Sequence, residues 1–553
     1  MKKFCLWLSM AVAMIASSCT ENVLNGVPAD ADLVAVVNLR EVLESAGGSV
    51  DGTSIKLPSF LTDELSSSDE EKVEELTDFF MKSGLNPEYC ALYAKFRDSH
   101  PVLVFMLKDR SKFLNSIEDN GYREKSSEEG IVVYSKKTYE AYNSDWDNYS
   151  YIAVSDNYVY RIDDVWVGSD FKPVQHFRRM SEKLADGNFG STAYGEYINE
   201  GNVAGMYVKI PKEVKKDLRE NGVPSDLLEF CEGSICLRGN LEVNKLVVDA
   251  KCFDTEGKEF DMSKLKKYYD TSATISSEAL EYLGNDECAV YAASLKDIAW
   301  DRYEELLEET GELSRREVSE MKTVFEYLRN IDGTVAMGFG VQNGLESFGA
   351  IASGNERAFL ENISSTLVIE TKDGKAARLS NDLKDVLAQV GLPVEEVGDG
   401  FTIELSDLGF SGTIELRHKD NFVIIANHPI RKGSCNSVVK NAGLGDALCA
   451  FFVGLNKDNK LMSDLNVKYD LELKVVALPG KAEMQAELSV DGDDSIGLIA
   501  KIVKSAVGIA NDAKEIEKKM GLNSRSYDYD DFYGDSVAVA EEYYYGDSIA
   551  VPY

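Results

Sequence analysis

Alternating apolar and polar positions mark the strands of this chain. The segments 241–254 and 467–490 each hold two such runs separated by a turn, which is the pattern of paired antiparallel strands. Apolar positions three or four residues apart predict amphipathic helices within 40–47, 301–330 and 381–391. Because hairpins and helices are mixed, the pattern predicts an α+β fold, in which helices cover a mostly antiparallel or mixed sheet.

The chain also contains five pairs of similar segments in the same order. The pairs begin at 30 and 286, 104 and 350, 155 and 419, 202 and 446, and 246 and 482, with offsets of 256, 246, 264, about 244 and about 236 residues. A repeated order at a nearly constant offset is typical of tandem duplication. It predicts a first α+β copy at 28–261 and a second at 278–491, joined by a linker that contains a short helix.

Individual matches carry finer predictions. The second pair shares a Phe-Leu step at 113–114 and 359–360. In the third pair, Asp156-Asn157 and Asp420-Asn421 are predicted hairpin turns, each followed by a strand that starts with an aromatic residue.

The two ends of the chain differ from the duplicated body. Apolar residues at helical spacing predict one helix over 495–522, either packed on the second copy or docking a partner. The remainder, 523–553, is an acidic, tyrosine-rich segment in which "YGDSVAV" is echoed by "YGDSIAV". This composition is typical of a flexible tail, with solvation or recognition as its role.

The first residues have the pattern of a bacterial lipoprotein signal. Two lysines precede an uncharged run from Phe4 to Ala16, and small residues then lead to Cys19. The run is too short to span a membrane, which takes about 20 residues. We predict a signal peptide at 1–18, lipid attachment at Cys19, and a short tether at 19–27; an ordinary secretory signal is the alternative.

Charge and cysteine content narrow the classes of partner. A formal charge of −36 repels nucleic acid and anionic lipid. Seven cysteines remain besides Cys5 and Cys19, an odd number, and several lie in apolar stretches, so most are predicted to be reduced and buried. No second close Cys or His pair stands at zinc-ligand spacing, and no cofactor or metal is predicted.

The sequence offers no established catalytic motif. It contains no HExxH, nucleophile elbow or phosphate-binding loop. "GFGVQNG" at 338–344 is predicted to be a strand that leads into an Asn343-Gly344 hairpin turn with no helix after it, which argues against a dinucleotide site. We therefore expect a protein without enzymatic activity; a hydrolase with unrecognised carboxylates is the alternative.

One aromatic segment is a candidate ligand platform. The segment 139–166 is rich in tyrosine and tryptophan beside acids and amides, which suit sugar rings through stacking and hydrogen bonds. Its candidate ligand-facing residues are Tyr139, Tyr142, Trp146 and Tyr149. The pairs Tyr149/Tyr151 and Tyr158/Tyr160 stand two residues apart, as aromatic residues that pack within a sheet do, and this is the alternative.

The stretch "VPADADLVAVVNLREVLESAG" at 27–47 resembles the domain-of-unknown-function 4836 family. The resemblance implies an exported, acylated envelope protein of Bacteroides-type bacteria and brings no catalytic residues with it. Together with the signal, it predicts a protein anchored in the outer membrane, facing the periplasm or the cell surface, that acts by non-enzymatic binding or scaffolding. A glycan- or peptide-binding protein that uses the aromatic segment is the alternative, with an envelope protein or a glycan as partner.

Overall fold

The computed structural model describes most of the body of the chain. The described residues are 22–45, 48–51, 54–56, 82–97, 100–128, 130–139, 147–166, 169–199, 202–220, 223, 228, 232–310, 315–352, 355, 357, 361–389, 391–406, 411–457, 459–492 and 497–520. The signal peptide, Cys19, the tail at 523–553, Tyr142 and Trp146 lie outside them. The predictions made for those residues therefore stay predictions.

The fold is α+β, as predicted, with a large antiparallel sheet. The first-half strands are β1 (Leu33–Asn38), β2 (Ser49–Asp51), β3 (Ser54–Lys56), β4 (Leu85–Ala94), β5 (Val102–Leu107), β6 (Arg123–Glu128), β7 (Ile131–Tyr139), β8 (Asn148–Val154), β9 (Tyr158–Trp166), β10 (Ala204–Lys209), β11 (Ser234–Leu241) and β12 (Lys245–Phe253). The second-half strands are β13 (Ala289–Ser294), β14 (Ile331–Val341), β15 (Ile363–Thr371), β16 (Val394–Val397), β17 (Gly400–Glu404), β18 (Thr413–Lys419), β19 (Phe422–Ala426), β20 (Cys449–Leu455), β21 (Asp470–Ala477) and β22 (Glu483–Asp491).

Helices connect these strands. They are α1 (Leu39–Ser45), α2 (Arg110–Asp119), α3 (Pro173–Asp186), α4 (Ala193–Asn199), α5 (Lys212–Glu220), α6 (Ser277–Leu280), α7 (Trp300–Thr310), α8 (Arg315–Leu328), α9 (Leu345–Ala352), α10 (Ala376–Gln389), α11 (Ser437–Asn441), α12 (Lys460–Asp464), α13 (Leu498–Asn511) and α14 (Ala513–Lys519). The predicted helices within 40–47, 301–330 and 381–391 correspond to α1, to α7 and α8, and to α10.

The two halves pair their strands in the same order. In the first half β1 lies between β4 and β10, β5 joins β4 to β9, β6 to β9 form a meander, and β11 and β12 follow β10. In the second half β13 lies between β14 and β20, β15 joins β14 to β19, β16 to β19 form a meander, and β21 and β22 follow β20. The last strands, β12 and β22, pair with each other in antiparallel orientation. The expectation of a separate sheet in each copy was therefore wrong, because one sheet runs through both halves.

The sheet has a core face and an outer face. We call the side that bears Val34 and Val36 of β1 and Val290 and Ala292 of β13 the core face; these residues belong to the two largest buried clusters. Neighbours in each strand point to the opposite side, the outer face. At the two ends of the sheet, α2 and α10 cover the outer face through two smaller clusters that include Phe113 and Leu379.

The predicted tether at 19–27 was wrong for its second part. Val23–Gly26 forms a 3-10 helix in which Val23 and Leu24 are buried in the first-half core, and Val27 is buried there too. The Asn22 side chain caps this helix by accepting a hydrogen bond from the Leu24 N–H at 2.9 Å. The apolar side chains explain the packing, since a solvated tether would leave them in water.

The C-terminal helical region consists of α13 and α14 rather than one helix over 495–522, with Asp512 between them. It contacts both halves. The buried Lys501 ammonium donates to the Asn244 Oδ1 atom at 2.6 Å, in the β11–β12 turn, and to the Val490 carbonyl at 3.0 Å, in β22. This region therefore packs across the junction of the halves and not on the second half alone.

The repeat matches have mixed outcomes. The predicted turns at Asp156-Asn157 and Asp420-Asn421 are confirmed, since β9 starts at Tyr158 and β19 at Phe422. The second match was wrong, because it aligns strand β5 with helix α9. The predicted linker helix is a 3-10 turn at Met262–Leu265.

Candidate functional site: the outer face of the sheet

From β5 to β14, two adjacent rows of side chains on the outer face contain no charged residue; Arg161 of β9, opposite Leu103, ends the first row. The registers place directly opposed residues side by side on the same face. One row consists of Leu103, Leu92, Ala35, Met206, Leu237, Ala250, Met484, Ala477, Cys449, Ala293 and Val335. The other consists of Phe105, Cys90, Val37, Ala204, Gly239, Val248, Ala486, Val475, Phe451, Tyr291, Met337 and Leu367. The apolar surface therefore continues from one half of the sheet into the other.

Large side chains in the middle of this face are exposed to solvent. Tyr291 is 50% exposed, Met484 50%, Phe339 43%, Phe451 42% and Ile235 38%. They stand on five different strands of the sheet interior, where apolar side chains are ordinarily covered. Exposed apolar surface that continues over several strands is typical of a binding surface.

The core face has the opposite character at the β11, β12, β21 and β22 strands. There Arg238 pairs with Asp249 at 3.1 Å, and the Gln485 amide donates to the Asp249 carboxylate at 3.0 Å. Beside them Lys251 pairs with Glu483 at 2.8 Å. In a sheet with one solvated face, the polar side meets water and the apolar side is covered. In this part of the sheet the outer face is therefore the apolar side and the core face the polar side.

A cleft opens at the second-half end of the outer face. Its volume is about 430 Å³, within the roughly 300–1,000 Å³ of small-molecule sites. The apolar residues that line it are Met337, Phe339, Ile363, Leu367, Leu405, Ile414 and Ile425. The walls come from β14, β15, β18 and β19, so regular strands rather than mobile loops hold most of the lining in place.

The polar groups of the cleft are largely engaged with the protein itself. The Asn427 side chain accepts from the Ser365 N–H at 2.9 Å and donates to the Ile363 carbonyl at 2.6 Å. Glu361 accepts from the Ser411 N–H at 3.0 Å and pairs with Arg357. These contacts hold the rim in shape and leave the apolar surface as the main means of binding.

A buried polar cluster lies behind the cleft, on the core face. The Glu287 carboxylate has no exposed surface and accepts from the Gly284 N–H at 2.8 Å and from the Thr366 hydroxyl at 2.7 Å. His428 Nε2 lies 3.0 Å from the same carboxylate and 2.9 Å from the Thr366 hydroxyl. The hydrogen bond with Glu287 raises the pKa of His428 above its ordinary value, although partial burial opposes this.

This cluster is not arranged for nucleophilic catalysis. Thr366 is 1% exposed, so its hydroxyl is out of reach of a substrate, and Glu287 contacts both partners directly instead of orienting the histidine from its far side. His428 Nδ1 lies 3.3 Å from the Pro429 carbonyl. The cluster therefore joins the segment before β13 and the segment after β19 to strand β15, as a structural element.

Two glycines of the "GFGVQNG" motif leave room for the Asp286–Glu287 segment beside strand β14. Gly338 and Gly340 lie in strand β14, as predicted. A Cβ atom on Gly338 would lie 2.0 Å from the Glu287 carboxylate, and one on Gly340 would lie 1.9 Å from the Asp286 carbonyl. The prediction that no helix follows was wrong, since α9 begins at Leu345. However, β14 and β15 are antiparallel, which is not the parallel arrangement of a dinucleotide-binding unit.

The aromatic candidates of 139–166 fall into two groups. Tyr142 and Trp146 lie outside the described residues, and Tyr139 ends strand β7. Tyr149 is half-buried in β8, with its ring 6.2 Å from that of Tyr151.

The neighbouring aromatics take part in packing. Tyr160 is buried in the first-half core, and Tyr151 and Tyr158 pack against that core. The structure thus places Tyr149 beside packed aromatic residues, and of the four candidates only this side chain belongs to the described part of the molecule. A sugar-binding role for them stays a prediction.

The cysteines in the described part of the chain form no disulfide with one another. Cys236 and Cys435 are buried, while Cys252 is exposed on the outer face. The expectation that most thiols are buried was wrong for the described cysteines, because Cys90, Cys288 and Cys449 are only half-buried and Cys252 is exposed. That the thiols are reduced stays a prediction. Within the described ranges, no group of three His, Cys, Asp or Glu could hold a metal ion, and no helix is long and apolar enough to cross a membrane.

The sequence carried a signal for the outer face that pattern analysis missed. "AVYAAS" in β13 and "CAFFVGL" in β20 have apolar residues at nearly every position and do not alternate. Such runs are typical of strands that meet apolar surroundings on both faces. They pointed to a second covered or binding face in addition to the core.

Comparison with known proteins adds little. No protein-family model and no curated protein matches the chain, so membership of the domain-of-unknown-function 4836 family stays a prediction. Two solved structures, of crystal forms III and I of TP0453, match with TM-scores of 0.24, at 14% and 13% identity. The matched region with form III spans 42% of this chain and 80% of the TP0453 chain, and that with form I spans 45% and 86%. At this TM-score the likeness carries no argument about fold or function.

Proposed function

We propose that the protein is a lipid-anchored, non-enzymatic binding protein of the cell envelope, and that its ligand is a small apolar molecule held in the cleft of the outer face. The single observation behind the ligand class is the cleft lining, which is apolar side chains on rigid strands with engaged polar groups at the rim. Sites of this kind bind through burial of apolar surface, with a few polar groups that fix orientation.

The dimensions of the cleft favour a small molecule over a protein segment. A volume of about 430 Å³ fits one drug-sized or acyl-type ligand, whereas a stable protein–protein interface buries about 1,200–2,000 Å². The overall charge of −36 makes an anionic lipid surface an unfavourable partner for the face as a whole.

The anchor belongs to the same proposal. Thr20 and Glu21 alone separate Cys19 from Asn22, where the packed N-terminal 3-10 helix is capped. Three residues span at most about 10 Å when extended. An acylated Cys19 would therefore hold the folded body directly against the bilayer, close to a supply of apolar ligands.

Ligand binding is tested with N-phenyl-1-naphthylamine, an uncharged apolar probe whose fluorescence rises in apolar sites. The mature chain is expected to bind it saturably. Phe339→Asn removes apolar surface at the cleft from a side chain that is already 43% exposed, so folding should tolerate it. Loss of about 1–1.4 kcal/mol of burial predicts a five- to tenfold higher Kd.

Ile235→Asn is the matched control, since Ile235 is 38% exposed on the first-half part of the outer face, outside the cleft lining. Its Kd is expected to stay within twofold of that of the parent chain. Absence of saturable binding to the parent chain would reject the proposal, and equal weakening by both substitutions would reject the cleft as its site.

We also infer that the two halves are duplicated copies, which share their ancestry but not a domain boundary. The support is their common pairing order, from the β1/β13 neighbourhood through the two meanders to β12 and β22. The short sequence matches, apart from the second, relate segments that hold the same place in that order.

A further inference from the structure

A second cavity lies at the end of strand β10, in the first half and away from the cleft. Its volume is about 660 Å³. Helix α5 contributes Lys212, Lys215 and Arg219, β10 contributes Lys209, and Tyr207 and Tyr194 line the interior. The cluster is unusual in this chain, where 95 acidic residues outnumber 59 basic ones.

Two of these cations have no acidic partner among the described residues. Lys215 pairs with Glu232, and Lys209 lies 3.5 Å from Asp32. Within the described part of the chain, neither Lys212 nor Arg219 forms an ion pair. Asp30, an acid of the cavity lining, is held by Lys95 at 2.6 Å.

The position of these two residues on α5 brings them to one opening. Residues seven apart in a helix lie on the same face, so Lys212 and Arg219 stand above one another, and both line the cavity. Both are exposed. The opening therefore carries an excess of positive charge in an otherwise acidic surface.

Two neighbouring tyrosine rings belong to the lining of the cavity. Tyr207 is buried, and its ring lies 4.9 Å from that of Tyr194. Burial raises the pKa of Tyr207, mainly because the ionised phenolate would lose its hydration. The Tyr194 hydroxyl donates to the Asp254 carbonyl at 3.2 Å, so this ring is held in place.

The equivalent place in the second half is filled. The first repeat match aligns Leu33 of β1 with Ala289 of β13. Their strand partners are Val208 of β10 and Val453 of β20. The residues that follow these partners, Lys209 and Gly454, therefore correspond to each other. A Cβ atom on Gly454 would lie 2.4 Å from the Val438 side chain. The cavity thus distinguishes the first half from the second.

We propose that this cavity binds a small organic anion, with its phosphate or carboxylate group held by Lys212 and Arg219 and its carbon skeleton against Tyr194 and Tyr207. A guanidinium can form two parallel hydrogen bonds with either group, and the lysine ammonium adds a second charge. The two tyrosine rings suit an apolar or ring-shaped remainder. This site is separate from the apolar cleft, and its ligand differs in charge.

Inorganic phosphate is the probe, measured by the line width of its 31P NMR signal with the mature chain at constant ionic strength. Saturable broadening is expected for the parent chain. Lys212→Gln and Arg219→Gln are each expected to raise the Kd about tenfold, as loss of one charged hydrogen bond implies. Circular dichroism checks that each variant is folded.

Lys216→Gln is the matched control, because Lys216 lies on the same helix and carries the same charge but pairs with Glu220 and does not line the cavity. Its Kd should stay within twofold of the parent value, as should that of Phe339→Asn, which tests the cleft separately. No broadening with the parent chain would overturn the site. An equal rise of the Kd with Lys216→Gln would also overturn it, since only the general field of the helix would then be involved.

Discussion

The contact between Gly338 and Glu287 makes a double-mutant test possible. An alanine Cβ at 338 would lie 2.0 Å from one carboxylate oxygen of Glu287 and 2.8 Å from its carboxyl carbon. The carboxylate cannot swing aside freely, because Gly284, Thr366 and His428 all hydrogen-bond to it. Gly338→Ala must therefore displace a buried, hydrogen-bonded charge.

The magnitude follows from the contacts. Overpacking a core costs about 1–3 kcal/mol, and weakening one hydrogen bond to a charged group costs about 1.5–3 kcal/mol. Alanine also restricts the unfolded chain more than glycine does, which offsets about 0.4–1 kcal/mol of this loss. We expect Gly338→Ala to lower the free energy of unfolding by about 3 kcal/mol. Glu287→Ala alone is expected to cost about 3–5 kcal/mol, since it leaves its buried partners unpaired.

The two substitutions should compensate each other. Once Glu287 is alanine, the closest remaining atom to the new Cβ is Leu283 Cδ2 at 3.1 Å, the end of a flexible side chain. Gly338→Ala should then cost less than about 1 kcal/mol, which gives a coupling free energy of about 2 kcal/mol. Glu287→Gln is the control background, because glutamine keeps the volume and should preserve most of the clash.

The measurement is urea-induced unfolding of the parent chain, both single variants and the double variant, followed by circular dichroism and fluorescence. Equal slopes with urea concentration are required before the free energies are compared. Residues far apart give additive effects within about 0.3–0.5 kcal/mol. Additivity within that range would refute the contact as the cause of the glycine requirement.

Three further outcomes are expected. The pKa of His428 is higher in the folded chain than in the unfolded chain, where it is about 6.5. The stability that this difference contributes is complete below the unfolded pKa and is lost as the pH rises through the folded pKa. Urea unfolding should therefore show stability that decreases over that pH range, and Glu287→Gln should make the decrease smaller. Iodoacetamide should modify exposed Cys252 before buried Cys236 in the native chain, as followed by mass spectrometry of timed digests. Burial raises the pKa of both thiols, to about 12 for Cys236. Modification of both at the same rate would contradict the described exposures. Lys501→Met should cost about 1–3 kcal/mol in urea unfolding and speed proteolysis within α13, and unchanged proteolysis would show that its two hydrogen bonds do not hold this helix.

Local patterns were sufficient for much of the fold. The alternation in 241–254 and 467–490 identified both terminal hairpins, and helical spacing identified α10. Hairpin turns at Asp156-Asn157 and Asp420-Asn421 followed from residue types that suit tight turns. These features depend on neighbours in the chain, so the sequence is enough to find them.

The site could not be predicted in the same way. The cleft and the basic cavity gather residues that are far apart in the chain, and periodicity says nothing about which strands become neighbours. The pairing of β12 with β22 decided that one sheet would form, yet it depends on register between segments over 200 residues apart. Similarly, the apolar residues Val23 and Leu24 look like part of a tether until the core that receives them is known.

The pairing of β12 with β22 has a consequence for each half on its own. Antiparallel pairing sets Asp249 opposite Gln485, positions that are 236 residues apart, the offset of the last repeat match. The junction thus resembles the two-fold axis of a homodimer, built within one chain. An isolated first half would expose β12 as an unpaired edge, which is a template for association with another copy.

Self-association of that edge would bring two Asp249 carboxylates together at the axis, whereas the intact chain joins the carboxylate to a glutamine amide at 3.0 Å. Like charges directly opposite each other destabilise a strand pair. Because position 485 holds an amide and not a second acid, pairing of β12 with β22 is favoured over pairing of two β12 strands. If the chain were broken between the halves, we therefore expect the two fragments to associate with each other.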